Sequence, residues 1–408
     1  MFLVEFKKLF KPLLFLVALL VTFVYYNQNL NFIHEYWPNG AMISFYDKAE
    51  EWQDRFGQRV SDVDIAEIEL EYANLLKQAD QIIAKNTTAN ELGLEDYQAF
   101  QLWYQKNIPQ MALSEQNEKE RKIVEQSDRI KKELIDDTGQ DLMEKIHILQ
   151  TLIRSIKGFE SSERFFDHVD YTKSEKERLL ETVFANEEWR NILPSYLTST
   201  VAAHFKGIVI LLIFLLSLLI PSIFVKDRYL KLQQLQWSSR HGRKIVWSQF
   251  LSGMFASFLL ITCIIGIFGG LLTLTDFKQY LGNGLNSFFV DADEPLLLTY
   301  YSWTFAQWIQ KIVLLVYLIG MAYSGALLFL SQTSPHYLSL LMKVIPVAFI
   351  YITITELILS DPFFLKNHLY QWTQIPRIEL FIAVLLLIIS VSFPIVFCIR
   401  QKKKDLWN

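Results

Sequence analysis

The chain has 408 residues, about half of them apolar, and a formal net charge of -4. Its apolar residues are clumped in long runs, which excludes a purely soluble globular chain. A soluble domain alternates apolar and polar positions, whereas a bilayer span takes about 20 mostly apolar residues in a row. The small net charge conceals two unlike parts. Residues 27–201 hold 20 Lys and Arg against 33 Asp and Glu, and the rest hold 19 against 10, so an acidic insert interrupts a basic, apolar frame. No nucleic-acid partner is expected of this balance.

In chain order, the first apolar run is Leu13 to Tyr26, preceded by Lys7, Lys8 and Lys11. No small-x-small cleavage site follows it, so it is expected to stay as an anchor. Further spans are predicted at about His204–Val225, Ile245–Leu274, Ile309–Leu330, Leu338–Leu359 and Leu380–Cys398. The fifth is the least regular, because Lys343 and Pro346 fall within it.

Basic residues cluster at the amino end, in the loop after the second span (Lys226, Arg228, Lys231, Arg240, Arg243, Lys244) and in the tail (Arg400, Lys402, Lys403, Lys404). The loop at 275–306 has one lysine and four acids. Basic short loops face the cytoplasm. The expected arrangement is therefore an all-α polytopic protein of the cell membrane with about six transmembrane helices, both termini cytoplasmic and residues 27–201 extracellular. The parts are 1–26 (an amphipathic segment and first span), 27–201 (a helical extracellular domain) and 202–408 (the remaining spans, with a cytoplasmic loop at 226–244).

Within the insert, a helix opens at Ser61 with Asp64 three residues on, a capping-box signal. Helices are also expected near Glu95–Ile108, near Ser114–Asp136 with a thin Ile123, Ile130, Ile135 stripe, over the apolar face from Leu142 to Ile156, and from Ser174 with Glu177 behind it. The thin stripe fits either an ordinary solvated bundle helix or a face that meets a second copy or a substrate. The two cysteines, Cys263 and Cys398, both lie in apolar runs. An outer domain without disulfides fits a cell surface that does without them, such as that of a Gram-positive bacterium.

Catalytic and metal signatures are missing from the sequence. There is no G-x-x-x-x-G-K-[ST] phosphate loop, no H-E-x-x-H and no nucleophile elbow; Asp167, His168 and Asp170 cluster without a partner at metal spacing. No cofactor and no enzymatic activity of the chain's own are expected. Lys311 and Glu356 fall at one end of the fourth and fifth spans, where they either snorkel to the outer interface or pair as a polar outer gate.

Small residues gather at Gly266, Gly269 and Gly270 and again around Gly320 and Gly325. They fit tight packing within one chain more readily than a seam between copies.

The loop after the second span reads Leu235-Gln-Trp-Ser238-Ser239-Arg240-His-Gly242-Arg243-Lys244-Ile245. It resembles the Leu-x-x-Ser-x-x-x-Gly-Arg-x-Ile pattern between the second and third spans of type-two ABC exporter permeases, with Ser239 and Lys244 fitting loosely. Phe2, Phe6, Leu9 and Phe10 on one face, with Lys7, Lys8 and Lys11 opposite, resemble the interfacial elbow helix of that family. A short re-entrant element at Asp361–Trp372 would also match. The resemblance implies that Leu235, Ser238, Ser239, Arg240, Gly242, Arg243 and Lys244 dock on a separate ABC ATPase subunit. It also implies a second permease subunit, the same or homologous, and an outward-moving hydrophobic or amphipathic cargo such as a peptide, an antimicrobial compound or a lipid. Taken alone, Arg240, Arg243 and Lys244 are equally explained as topology determinants. The alternative of another class is a membrane sensor or scaffold whose outer domain binds a cell-envelope or peptide ligand. Against it, the predicted cytoplasmic loop and tail are too short for an output domain.

Overall fold

A computed structural model describes residues 2–9, 11–38, 42–108, 118–135, 141–167, 171–229, 244–289 and 297–403. Helices dominate; among the described residues, strand-like pairing is confined to isolated bridges. Six helices are long and apolar enough to cross a bilayer: Pro12–Leu30, Ser195–Val225, Lys244–Leu274, Phe305–Thr333, Tyr337–Leu359 and Ile378–Arg400. The protein is an all-α, multi-pass membrane protein.

The chain forms two compact units. One comprises Met1–Asn39, Ser195–Leu285 and Leu296–Asn408; the other comprises Gly40–Pro194 and Asn286–Pro295. In the membrane unit, the second and fourth spans are central and the first is peripheral. The first span runs past Tyr26, because residues Tyr26–Leu30 continue it as a π-turn. The second opens at Ser195, nine residues before the predicted His204, and buries Leu197, Val201 and Ala202 in that extra length. The fifth span passes through Pro346 without ending. Lys343 is accommodated by donating to the Thr333 carbonyl at the end of the fourth span, at 3.4 Å.

The glycines of the fourth span are packing sites within this chain: Gly320 faces Ile261 of the third span and Gly325 faces the backbone of Ser390 in the sixth. Such close approaches are what small residues permit in a membrane. Gly266 and Gly270 of the third span meet nothing beyond their own helix. The Asp361–Trp372 segment is a turn followed by a helix, His368–Thr373. It is pinned by Thr299 Oγ1 donating to the Phe363 carbonyl (2.8 Å), Trp308 Nε1 donating to the Pro362 carbonyl (2.9 Å) and the Phe363 amide donating to Glu379 (2.9 Å).

The second unit is a helical bundle around Ile83, Tyr97, Phe100, Ile130, Leu142 and Ile146. The capping box at Ser61 and Asp64 is present and opens helix Asp62–Lys85. Helix Leu142–Glu160 buries Ile146, Ile148, Leu149, Leu152, Ile153 and Ile156, the whole predicted apolar face. On helix Glu118–Glu133, Ile130 enters the core, while Ile135 beyond its end stays half-exposed.

Two features depart from the sequence expectation. The late helix is capped by Thr172 with Glu175, rather than by Ser174 with Glu177, because Thr172 Oγ1 accepts from the Glu175 amide and the Glu175 carboxylate takes the Thr172 N–H. Thr172→Ala is therefore expected to lower the local stability of this helix by about 1 kcal/mol, with Ser174→Ala nearly neutral. Hydrogen exchange of segment 173–184 in the two variants checks it. The second departure is that residues 286–289, from the connection between the third and fourth spans, are built into this unit. Ser155 Oγ donates to the Phe288 carbonyl (2.6 Å), Ser287 Oγ accepts from the Leu193 amide (3.1 Å), and Phe288 and Phe289 pack on Trp52.

Candidate coupling site

The residues that the sequence singles out for docking, Leu235, Ser238, Ser239, Arg240, Gly242 and Arg243, lie outside the described residues. Lys244 is described, exposed, at the start of the third span. The described ends of that loop are helix Ser222–Tyr229, which carries the second span up to it, and helix Lys244–Ile264, which leaves it.

These two ends meet the N-terminal helix Phe2–Lys7 at one buried polar knot. Glu5, Asp227 and Gln249 are 2–4 % exposed. The Lys8 ammonium lies 2.7 Å from Glu5 Oε1 and 3.3 Å from Asp227 Oδ2. Gln249 Nε2 donates to Glu5 Oε2 at 3.1 Å and to Asp227 Oδ2 at 2.7 Å. One amide and one ammonium thus tie three segments together. Along the same face of the N-terminal helix, Phe2 and Phe6 pack edge-on and tilted against Phe255, and Ser252 Oγ donates to the Phe2 carbonyl (3.1 Å).

Phe2, Phe6 and Leu9 do share a packed face, whereas Leu3 and Val4 are turned outward. Lys8 is not on the solvated side that its sequence position suggests; it is the cation of the knot. Burial opposes its charge, but the carboxylates of Glu5 and Asp227 outweigh that and hold its pKa above the ordinary lysine value.

Buried charges persist where they are paired and hydrogen-bonded, and breaking such a set is costly. The knot therefore makes the N-terminal helix and both loop ends one mechanical body.

Of the two readings of Lys311 and Glu356, pairing with each other is not what these residues do. Glu356 is held by Lys206 of the second span, at 2.8 Å. Lys311 lies over the Trp303 ring, 5.8 Å from its centroid. The reason is geometric: the fifth span packs along the second, so the lysine within reach of Glu356 is the one on the second span.

Sequence reasoning missed Glu5, Asp227, Gln249 and Lys206. The available signals were an acid between Lys226 and Arg228 in an otherwise basic loop, and a Lys and a Gln within apolar spans. Among the described residues, no cluster of three His, Cys, Asp or Glu side chains is placed to hold a metal ion. The chain matches no protein-family model, no curated protein and no solved structure.

Proposed function

We propose that this protein is the membrane subunit of an ABC exporter, with ATP hydrolysis on a partner chain and a second permease subunit completing the pathway. The observation that carries the reading is the knot of Glu5, Lys8, Asp227 and Gln249, which fastens both ends of the 230–243 loop to the N-terminal helix. A transport subunit without a nucleotide site of its own receives work through a contact, and a contact transmits work only if the element it moves is stiff. On this reading the loop and both termini face the cytoplasm, residues 27–201 face outward, and the cargo is hydrophobic or amphipathic.

The test is purification of the full-length protein from its native host in mild detergent, with Arg240, Arg243 and Lys244 intact or all replaced by alanine. An ATP-binding subunit is expected to copurify with the intact chain and to be lost from the alanine variant. If none copurifies with either, the exporter reading fails and the sensor alternative takes its place.

A further inference from the structure

Lys206 is the one lysine in the second span, and its ammonium lies 2.8 Å from Glu356 Oε1 of the fifth. Ser360 Oγ also donates to that carboxylate, at 3.2 Å. The pair is not sealed within the bundle: the side chains are 26 % and 55 % exposed. An exposed charge pair within two candidate spans is costly unless water or a polar group covers it.

The surroundings describe a groove. Ser199, Ala203 and Ile210 lie on the same side of the second span as Lys206, at spacings of one helical turn, and none of them is buried. The first span packs along one flank of this line, through Leu30 against Gly207 and Tyr25 against Phe214. The fifth also packs along the second span and brings Glu356 to Lys206. The exposed line of the second span thus runs beside both the first and the fifth spans.

The groove is polar at one end and apolar at the other. Toward Ser195, the small Ser199 and Ala203 leave room beside the ion pair. In the opposite direction come Ile210 and, two turns from Glu356, the exposed Phe349. Adjacent opposite charges are complemented by a head group that itself carries both signs. A head group of one sign meets one attraction and one repulsion.

We propose that this groove binds a zwitterionic amphiphile, with its head group across Lys206 and Glu356 and its acyl chain along Ile210 and Phe349. Binding does not require transport, so it is measured without any ATPase, and its failure leaves the exporter reading untouched.

The experiment is native mass spectrometry of the full chain released from maltoside micelles, titrated with phosphatidylethanolamine or with phosphatidylglycerol. The wild type is expected to hold the zwitterionic lipid on the order of tenfold more tightly than the anionic one. The Lys206→Met/Glu356→Gln double variant is expected to lose that preference. The exchanged variant, Lys206→Glu/Glu356→Lys, keeps an opposed pair between the two spans and is expected to keep the preference, which separates binding from helix stapling. Equal retention of both lipids by the wild type, an anionic preference, or an unchanged preference in the double variant would each overturn the proposal. So would lipid-free dimers that the double variant dissociates, because a second copy would then be what covers the groove.

Discussion

Replacing Lys8 by methionine is expected to destabilise the membrane unit by about 3–5 kcal/mol, whereas replacing Glu5 by glutamine costs about 1 kcal/mol. The asymmetry follows from what each change leaves behind. Without Lys8, the Glu5 carboxylate stays 2 % exposed with the Gln249 amide as its remaining hydrogen-bond donor in the knot. A buried ion without its counter-ion bears a desolvation cost that one neutral donor does not offset. With glutamine at position 5, no charge is stranded, and Lys8 retains Asp227 at 3.3 Å. The double variant Lys8→Met/Glu5→Gln is therefore expected to be more stable than Lys8→Met alone, a coupling that a double-mutant cycle reads directly from thermal unfolding in detergent.

The pH dependence has a definite sign. Lys8 has its pKa raised in the folded state, so its contribution is fully present below the unfolded lysine value of about 10.4 and fades as pH rises through the folded value. The contribution of this lysine should be flat from pH 6 to about pH 9. Additivity of the two single variants would contradict the knot.

The second large effect is at Gly325. A Cβ there would lie 2.9 Å from the Ser390 carbonyl oxygen and 3.0 Å from its carbon. Both are backbone atoms of the sixth span, so no side-chain rotation relieves the clash; the fourth and sixth spans must separate. Gly325→Ala is expected to cost about 3 kcal/mol, and Gly325→Leu to abolish the folded bundle. Gly253 provides the comparison. Its Cβ would come as close as 2.6 Å, but to the methyl end of Leu328, which can turn away. Gly253→Ala should cost about 1 kcal/mol. Gly266→Ala, with nothing within 4 Å, should cost nothing measurable. Melting temperatures of the three alanine variants give the ranking; a Gly253 variant less stable than the Gly325 variant would refute the backbone-contact account.

The spans were legible because a bilayer demands contiguous apolar length, a one-dimensional property. The Ser61–Asp64 cap and the Leu142–Ile156 face were legible for a similar reason, since both are written within a few helical turns. What the sequence hid was set by distant residues. Glu5 and Asp227 share a lysine across 222 positions of chain, and nothing local marks Gln249 as their common donor. Lys206 sits in an apolar run and Lys311 at the matching end of the fourth span, so the sequence pattern does not single out Lys206 as the partner of Glu356. Residues 286–289 read as part of an ordinary connection, because their fit depends on Ser155, Asn191 and Trp52, which lie about 95–240 positions earlier in the chain. Thr172 and Ser174 both precede a glutamate by three, so only the realised hydrogen bonds identify Thr172 as the cap.

The most direct measurement of the central claim is ATP turnover by the copurified complex in lipid nanodiscs, with Lys8 and Glu5 intact or replaced together by Met and Gln. That variant removes the Glu5–Lys8 ion pair, leaves Asp227 the Gln249 amide at 2.7 Å, and so unties the N-terminal helix from the loop ends. If the knot carries the work of the ATPase into the spans, the variant should retain its ATP-binding partner while cargo-stimulated turnover falls on the order of tenfold, a loss of about 1.4 kcal/mol in coupling. Unchanged stimulated turnover, with the N-terminal helix demonstrably loosened by hydrogen exchange, would contradict the account.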